Sequence, residues 1–217
     1  MTQPTRHPSE ALILDHARGV LEPGRDFVLR AHLAACPACR AQARLADAVG
    51  GAMVDEMEPA EMAPDALAKA LAALDRPPPT PPPAAAARIP PDDWIRVPPN
   101  VVLAAQRNRR QAAPGVWVAH VTRSGDDGPR SYLLGVGPGI AVPMHTHRGR
   151  EFVCVLKGSY KDRGHIYRPG DFAENDDEVE HQPRVTRDGE CVCLIAADNL
   201  LVPRSVQARL LQPFVGI

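Results

Sequence analysis

The chain has 217 residues, 44% of them apolar, and a formal net charge of −1. That length fits one or two domains with a packed core. The near-neutral balance argues against a nucleic-acid binder that relies on phosphate neutralisation.

Charge is unevenly spread. Residues 1–75 carry seven Lys/Arg against eleven Asp/Glu, and the remainder carries eighteen against fifteen. An acidic N-terminal part suits a basic protein partner better than DNA or an anionic membrane. There is no apolar run long enough to span a membrane and no signal-peptide core, so a cytoplasmic location is expected, with no membrane and no direct nucleic-acid contact. The five cysteines are odd in number and unevenly placed, unlike a secreted disulfide framework.

Residues 1–75 read as helical. Ser9 can cap a first helix through Leu12, Ile13, His16 and Ala17, and Gly19 can end it. Pro23-Gly24 reads as a turn. A second helix fits Asp26 to Ala35, with Val28, Leu29, His32 and Leu33 on one side. Pro37 suits the first turn of a third helix through Leu45 and Val49, with Gly50-Gly51 as a weak point. Pro64 can open a fourth, carrying Leu67, Leu71 and Leu74. Many apolar positions are alanines, so the core is thin and benefits from a metal or a partner.

His32-Leu-Ala-Ala-Cys36-Pro-Ala-Cys39 offers that metal. His32 and Cys36 share a helical face, and Cys39 follows in the first turn of the next helix. The helix dipole favours thiolates there, which lowers the expected thiol pKa values. Zinc suits a mixed His/Cys set and takes four ligands. His7 and His16 are both available as the fourth, and spacing does not separate them.

Residues 76–91 hold eight prolines. Such a run favours polyproline II and reads as a spacer able to hold two domains up to about 45 Å apart. From residue 92 the pattern changes to short β runs. Val116–Val121, Tyr132–Val136, Phe152–Leu156 and Cys191–Ile195 are the clearest. Turn signals lie between them, such as Ser124-Gly-Asp-Asp-Gly-Pro and Arg168-Pro-Gly-Asp171. Many short strands at this spacing indicate a sandwich or barrel.

Within that region, His145 and His147 lie two apart, so on a strand they point to one face. Glu151 stands at the start of the next strand. Gly139 and Gly158 bracket the unit at positions suited to tight turns. Glycine, five residues, His-x-His, three residues, Glu, six residues, glycine resembles the first motif of the cupin superfamily. The resemblance implies a double-stranded β-barrel holding a metal with two His, one Glu and a third His. Gly164, Pro169-Gly170-Asp171 and His181 occur in the order of the second motif, across a longer acidic insert. They make His181 the third histidine, with His165 as its competitor. Cys191 and Cys193 share a face of one strand and read as small apolar packing or as reactive thiols. Cys154 should point opposite to Glu151 as core packing, and His120 reads as structural.

His32-x-x-x-Cys36-x-x-Cys39 in a small acidic helical domain resembles the zinc-binding anti-sigma domain, which implies His7 as the fourth ligand. A helical domain of this kind followed by a cupin resembles the ChrR family of anti-sigma factors. So do Cys191-Val-Cys193 and the Leu-Gln-Pro-Phe-Val-Gly-Ile C-terminal end. The resemblance implies an all-α zinc-binding domain over 1–75, a linker over 76–91 and an all-β cupin sensor over 92–217. It implies zinc on His7, His32, Cys36 and Cys39. It implies zinc or another divalent metal on His145, His147, Glu151 and His181. The partner would be an extracytoplasmic-function sigma factor, sequestered until an oxidative signal, such as singlet oxygen, acts through the cupin. In that family the N-terminal domain alone inhibits. The competing readings are a metal-dependent cupin enzyme of dioxygenase or isomerase type, and a thiol-redox sensor in which Cys36 and Cys39 lose zinc on oxidation.

Overall fold

The computed structural model describes residues 3–75, 94, 95, 97, 101, 102, 105, 107–121 and 130–205. The proline-rich run, the turn signal at residues 124–129 and the C-terminal heptapeptide lie outside the described residues. Four helices come first: α1 (Glu10–Ala17), α2 (Pro23–Ala35), α3 (Pro37–Asp55) and α4 (Ala66–Leu74). Ser9 caps α1 by accepting from Leu12 N, and Gly19 follows at φ +69. Pro23-Gly24 is not a separate turn. Extended Glu22 precedes it, and Pro23 takes the first helical position, where its missing N–H costs nothing. Cys36 closes α2 and opens α3, accepting from Cys39 N through its sulfur. Gly50 and Gly51 do not interrupt α3, which continues to Asp55.

Eleven strands follow among the described residues. A six-stranded antiparallel sheet runs β1-β2-β3-β10-β5-β8. Its members are β1 (Arg110–Ala113), β2 (Val116–His120), β3 (Arg130–Val136), β10 (Cys191–Ala197), β5 (Glu151–Lys157) and β8 (Phe172–Asn175). A three-stranded sheet orders β7 (His165–Tyr167), β6 (Tyr160–Asp162) and β9 (Arg184–Val185), and β4 (His145–Thr146) pairs with β11 (Val202–Pro203). The four strands expected from sequence are all present. Gly139 and Gly158 adopt φ +75 and +68. A Cβ on Gly158 would lie 2.2 Å from the Glu190 carbonyl oxygen, so only glycine fits that turn.

Strand alternation divides the large sheet into two buried faces. Tyr132, Leu134, Val153, Val155, Cys191, Cys193 and Ile195 join the barrel interior. Leu133, Phe152, Cys154, Leu156, Val192 and Leu194 join the other core, together with Val28, Leu29 and Leu33 of α2. The helical part therefore lies directly on the outer face of the barrel and shares one core with it. The sequence reading, a spacer able to hold two domains up to about 45 Å apart, does not anticipate this contact. β10 is buried at every residue because it is covered on both sides. Arg25 of α2 adds a 2.6 Å ion pair to Asp198 and lies 5.4 Å from the Phe152 ring centroid.

The far end of the helical part is different. α3 buries only Cys39 and Ala43, and α4 buries nothing.

Candidate metal centres

The first centre gathers His7, His32, Cys36 and Cys39, whose nearest ligand atoms all lie within 4.8 Å of one another. His7 Nδ1 is 3.4 Å from both sulfurs. Tetrahedral zinc with ordinary Zn–N and Zn–S bonds would separate N and S by about 3.6 Å. His32 Nδ1 donates to the Gly170 carbonyl at 2.6 Å, which leaves Nε2 as the unprotonated nitrogen. That Nε2 is buried without a hydrogen-bond partner among the described residues. An orphaned buried acceptor beside two thiols is what a metal ligand looks like before the metal is added. Burial pulls His32 down to about 4, so the ring is neutral at physiological pH and free to ligate.

His16, the other candidate by spacing, is engaged elsewhere, 2.6 Å from Asp26. One expectation fails here. The helix dipole does not lower the Cys39 thiol. Burial, then the hydrogen bond and charge of Cys36, push it up to about 12. Desolvation outweighs a dipole effect that is worth only about 0.3–1 kcal/mol.

The second centre lies inside the barrel. His145 and His181 face each other across an isolated antiparallel bridge, each backbone N donating to the other's carbonyl at an N···O distance of 3.1 Å. β4 covers only His145 and Thr146, and His147 follows just beyond it. Both histidines are nevertheless buried. His147 Nε2 and His145 Nε2 each lie 3.0 Å from His181 Nε2. His145 Nδ1 donates to the Pro143 carbonyl at 2.7 Å, and His181 Nδ1 is 2.8 Å from Asp162. In those tautomers two unprotonated nitrogens point at one another, which is repulsive unless a cation sits between them. Ligands at right angles on bonds of about 2.1 Å are about 3.0 Å apart, so the spacing fits an octahedral divalent cation more closely than a tetrahedral one, whose ligands stand about 3.4 Å apart. Burial lowers His145 to about 4 and His147 to about 3, so both are neutral donors.

Glu151 stands next to this trio. Its Oε2 is 3.6 Å from His147 Nε2 and accepts from Asn175 Nδ2 at 3.0 Å. Burial raises its carboxyl, against the Asn175 bond. His165, the competitor of His181, is exposed and takes an Arg6 hydrogen bond at 2.6 Å. Beside the trio is a cavity of about 60 Å³ lined by His145, Glu151, His181, Tyr132, Tyr160, Cys191 and Cys193. The two cysteines share the interior face as expected, with sulfurs 3.8 Å apart. Cys154 is fully buried on the opposite face, and His120 packs beside Tyr132. Sequence reasoning missed Asp162 and Asn175, which hold His181 and Glu151. Neither has a spacing signal, because each reaches its partner through tertiary structure: Asn175 lies opposite Glu151 in the β5–β8 ladder, and Asp162 meets His181 from β6.

A barrel with three inward histidines and a carboxylate, capped by a helical His/Cys cluster, defines a cupin joined to a zinc-finger-type helical domain. Comparison with known proteins agrees. Residues 98–200 match the ChrR Cupin-like domain, and residues 9–40 match a zinc-finger family. The chain is 36% identical to the anti-sigma-E factor ChrR of Cereibacter sphaeroides over 215 residues, 97% of this chain and 98% of that one. It also resembles the crystal structure of Rhodobacter sphaeroides SigE in complex with the anti-sigma ChrR. The TM-score there is 0.75 at 32% identity, covering 90% of this chain and 100% of that chain. This chain belongs to the ChrR family of anti-sigma factors. No helix among the described residues is long and apolar enough to cross a membrane.

Proposed function

We propose that this chain sequesters an extracytoplasmic-function sigma factor in the cytoplasm, using residues 1–75 as the binding domain and residues 92–217 as a sensor. Zinc on His7, His32, Cys36 and Cys39 ties the N-terminal segment to the α2–α3 corner. Zinc or another divalent cation on His145, His147, Glu151 and His181 organises the barrel. The chain acts as a regulator rather than as a catalyst.

The observation that carries this reading is the uncovered apolar surface of α3 and α4. Leu45, Val49 and Met53 recur at helical spacing along α3, and Leu67, Leu71 and Leu74 along α4, all more than half exposed. A nine-residue helix with no buried side chain is not stable alone in water. Such a surface is built to be covered. Its surroundings set the sign of the partner. Residues 45–75 carry Asp47, Asp55, Glu56, Glu58, Glu61, Asp65 and Asp75 against the single cation Lys69. A basic surface on sigma is therefore steered towards it. The C. sphaeroides relative is an anti-sigma-E factor, and the R. sphaeroides ChrR was crystallised with SigE, which supports the same reading.

Release by an oxidative signal is supported by the barrel interior, where Cys191 and Cys193 line the same cavity as His145, Glu151 and His181. The test is reconstitution. The full chain should co-elute with its sigma factor as one complex, and Cys36→Ala with Cys39→Ala should lose both zinc and sigma. Full binding by that zinc-free variant would end the proposal.

A further inference from the structure

Residues 3–9 carry His7 but form no helix or strand. A free segment of this kind loses backbone entropy when its histidine is captured by a metal. Here the segment is already held, and the residues that hold it belong to the barrel. Thr5 N and Arg6 N donate to Asp171 Oδ1 at 2.6 and 3.0 Å. The other oxygen of Asp171 accepts from Arg168 N at 2.8 Å, which fixes the carboxylate to its own turn. Phe172 N donates to the Arg6 carbonyl at 3.1 Å, so the segment uses the open edge of β8. Ser9 N and Oγ donate to the two oxygens of Glu174 at 2.6 and 3.2 Å. His7 lies between these anchors.

The second histidine is held from the same place. His32 Nδ1 donates to the Gly170 carbonyl, and the ring meets Phe172 edge-on at 5.6 Å between centroids. Gly170 has φ +92, and a Cβ there would stand 2.7 Å from Pro4 Cγ and 3.1 Å from Ala35 Cβ. The turn approaches the helical part as closely as a bare backbone allows.

The structure assigns the outer shell of the N-terminal metal centre to the barrel: Gly170, Asp171 and Glu174 are positioning residues for His32 and His7. The assignment rests on the four-ligand zinc site proposed above. A ligating histidine whose second nitrogen is fixed by a carbonyl keeps its tautomer and orientation, and loss of such partners weakens metal binding about 10–100-fold. Ordering the His7 segment beforehand removes that cost from metal capture. The opposite face of β8 carries Asn175, which holds Glu151. One four-residue strand thus touches both centres.

The test uses the full chain loaded with Co²⁺. Thiolate-to-cobalt absorption is followed in a Cys191→Ser, Cys193→Ser background, so that it reports the Cys36/Cys39 centre and not the thiols lining the barrel cavity. Cobalt release to a competing chelator is then followed for the parent, Asp171→Ala, Glu174→Ala and Glu174→Gln. The expected result is apparent affinity at the thiolate centre lowered about 10–100-fold in Asp171→Ala. Glu174→Ala should show a smaller loss, and Glu174→Gln should stay nearer the parent because it keeps an acceptor for Ser9 N. The thermal midpoint of the barrel should be retained in the Glu174 variants, which lie at a partly exposed sheet edge. Release within twofold of the parent in both alanine variants overturns the outer-shell assignment. A parent chain with no thiolate–cobalt absorption overturns the ligand set itself, and the outer shell with it.

Discussion

Truncating the apolar face of α4 should cost affinity for sigma and almost nothing in folding. Leu67, Leu71 and Leu74 are 70%, 55% and 80% exposed. Covering them fully removes solvent contact equivalent to about two whole leucines, worth about 4 kcal/mol at about 2 kcal/mol each. Alanine keeps the Cβ and the best helix propensity, so the triple variant Leu67→Ala, Leu71→Ala, Leu74→Ala forfeits about 3 kcal/mol of that. This corresponds to a rise in Kd of more than a hundredfold. No residue of α4 is buried in the chain itself, so the unfolding midpoint should stay with the parent. The assay is anisotropy titration of fluorescently labelled sigma with each protein. A rise in Kd of less than fivefold would refute the claim that α4 is a docking face.

The remaining predictions concern the shared core and the two centres. Leu29 is fully buried where α2 meets the barrel. Leu29→Ala should destabilise by about 2–5 kcal/mol, seen as a lower urea midpoint by both helix and barrel probes; an unchanged barrel signal would mean the halves do not share a core. Cys39 sits as a thiol pushed up to about 12 by burial and by Cys36, so metal uptake must expel its proton. Affinity of the N-terminal centre should therefore rise with pH, by at least tenfold per unit between about pH 6 and 8. Cobalt titrations at several pH values measure this, and a flat profile would contradict it. Asp162→Ala removes the 2.8 Å partner of His181 and should lower barrel metal affinity about 10–100-fold. Metal analysis after dialysis against a chelator checks it, and full retention would show that Asp162 does not orient His181.

The candidate metal residues were legible because their spacing is local. His32, Cys36 and Cys39 sit at a helix–helix corner, and His145, His147 and Glu151 lie within one loop and strand start. His181 required only the order of Pro169-Gly170-Asp171 before it. The choice of His7 over His16 was not legible from spacing. It follows from Asp26, which occupies His16, and from the barrel anchors on residues 5, 6 and 9. Contacts such as Thr5 to Asp171 span 166 positions and leave no periodic trace. The docking of α2 did leave one. Tyr132–Val136, Phe152–Leu156 and Cys191–Ile195 are apolar at nearly every position, where a strand with one wet face would alternate. Both faces needed cover, and the spacer reading overlooked it. Short β4, β6, β7, β9 and β11 are two or three residues each, below the length at which alternation can be read.

The most direct measurement is in vitro transcription by RNA polymerase with the cognate extracytoplasmic-function sigma factor, titrated with the zinc-loaded full chain. Transcription should fall to background near one equivalent of chain per sigma, and Cys36→Ala with Cys39→Ala should leave it unaffected. Undiminished transcription at a large excess of the zinc-loaded parent would contradict sequestration as the function of this chain.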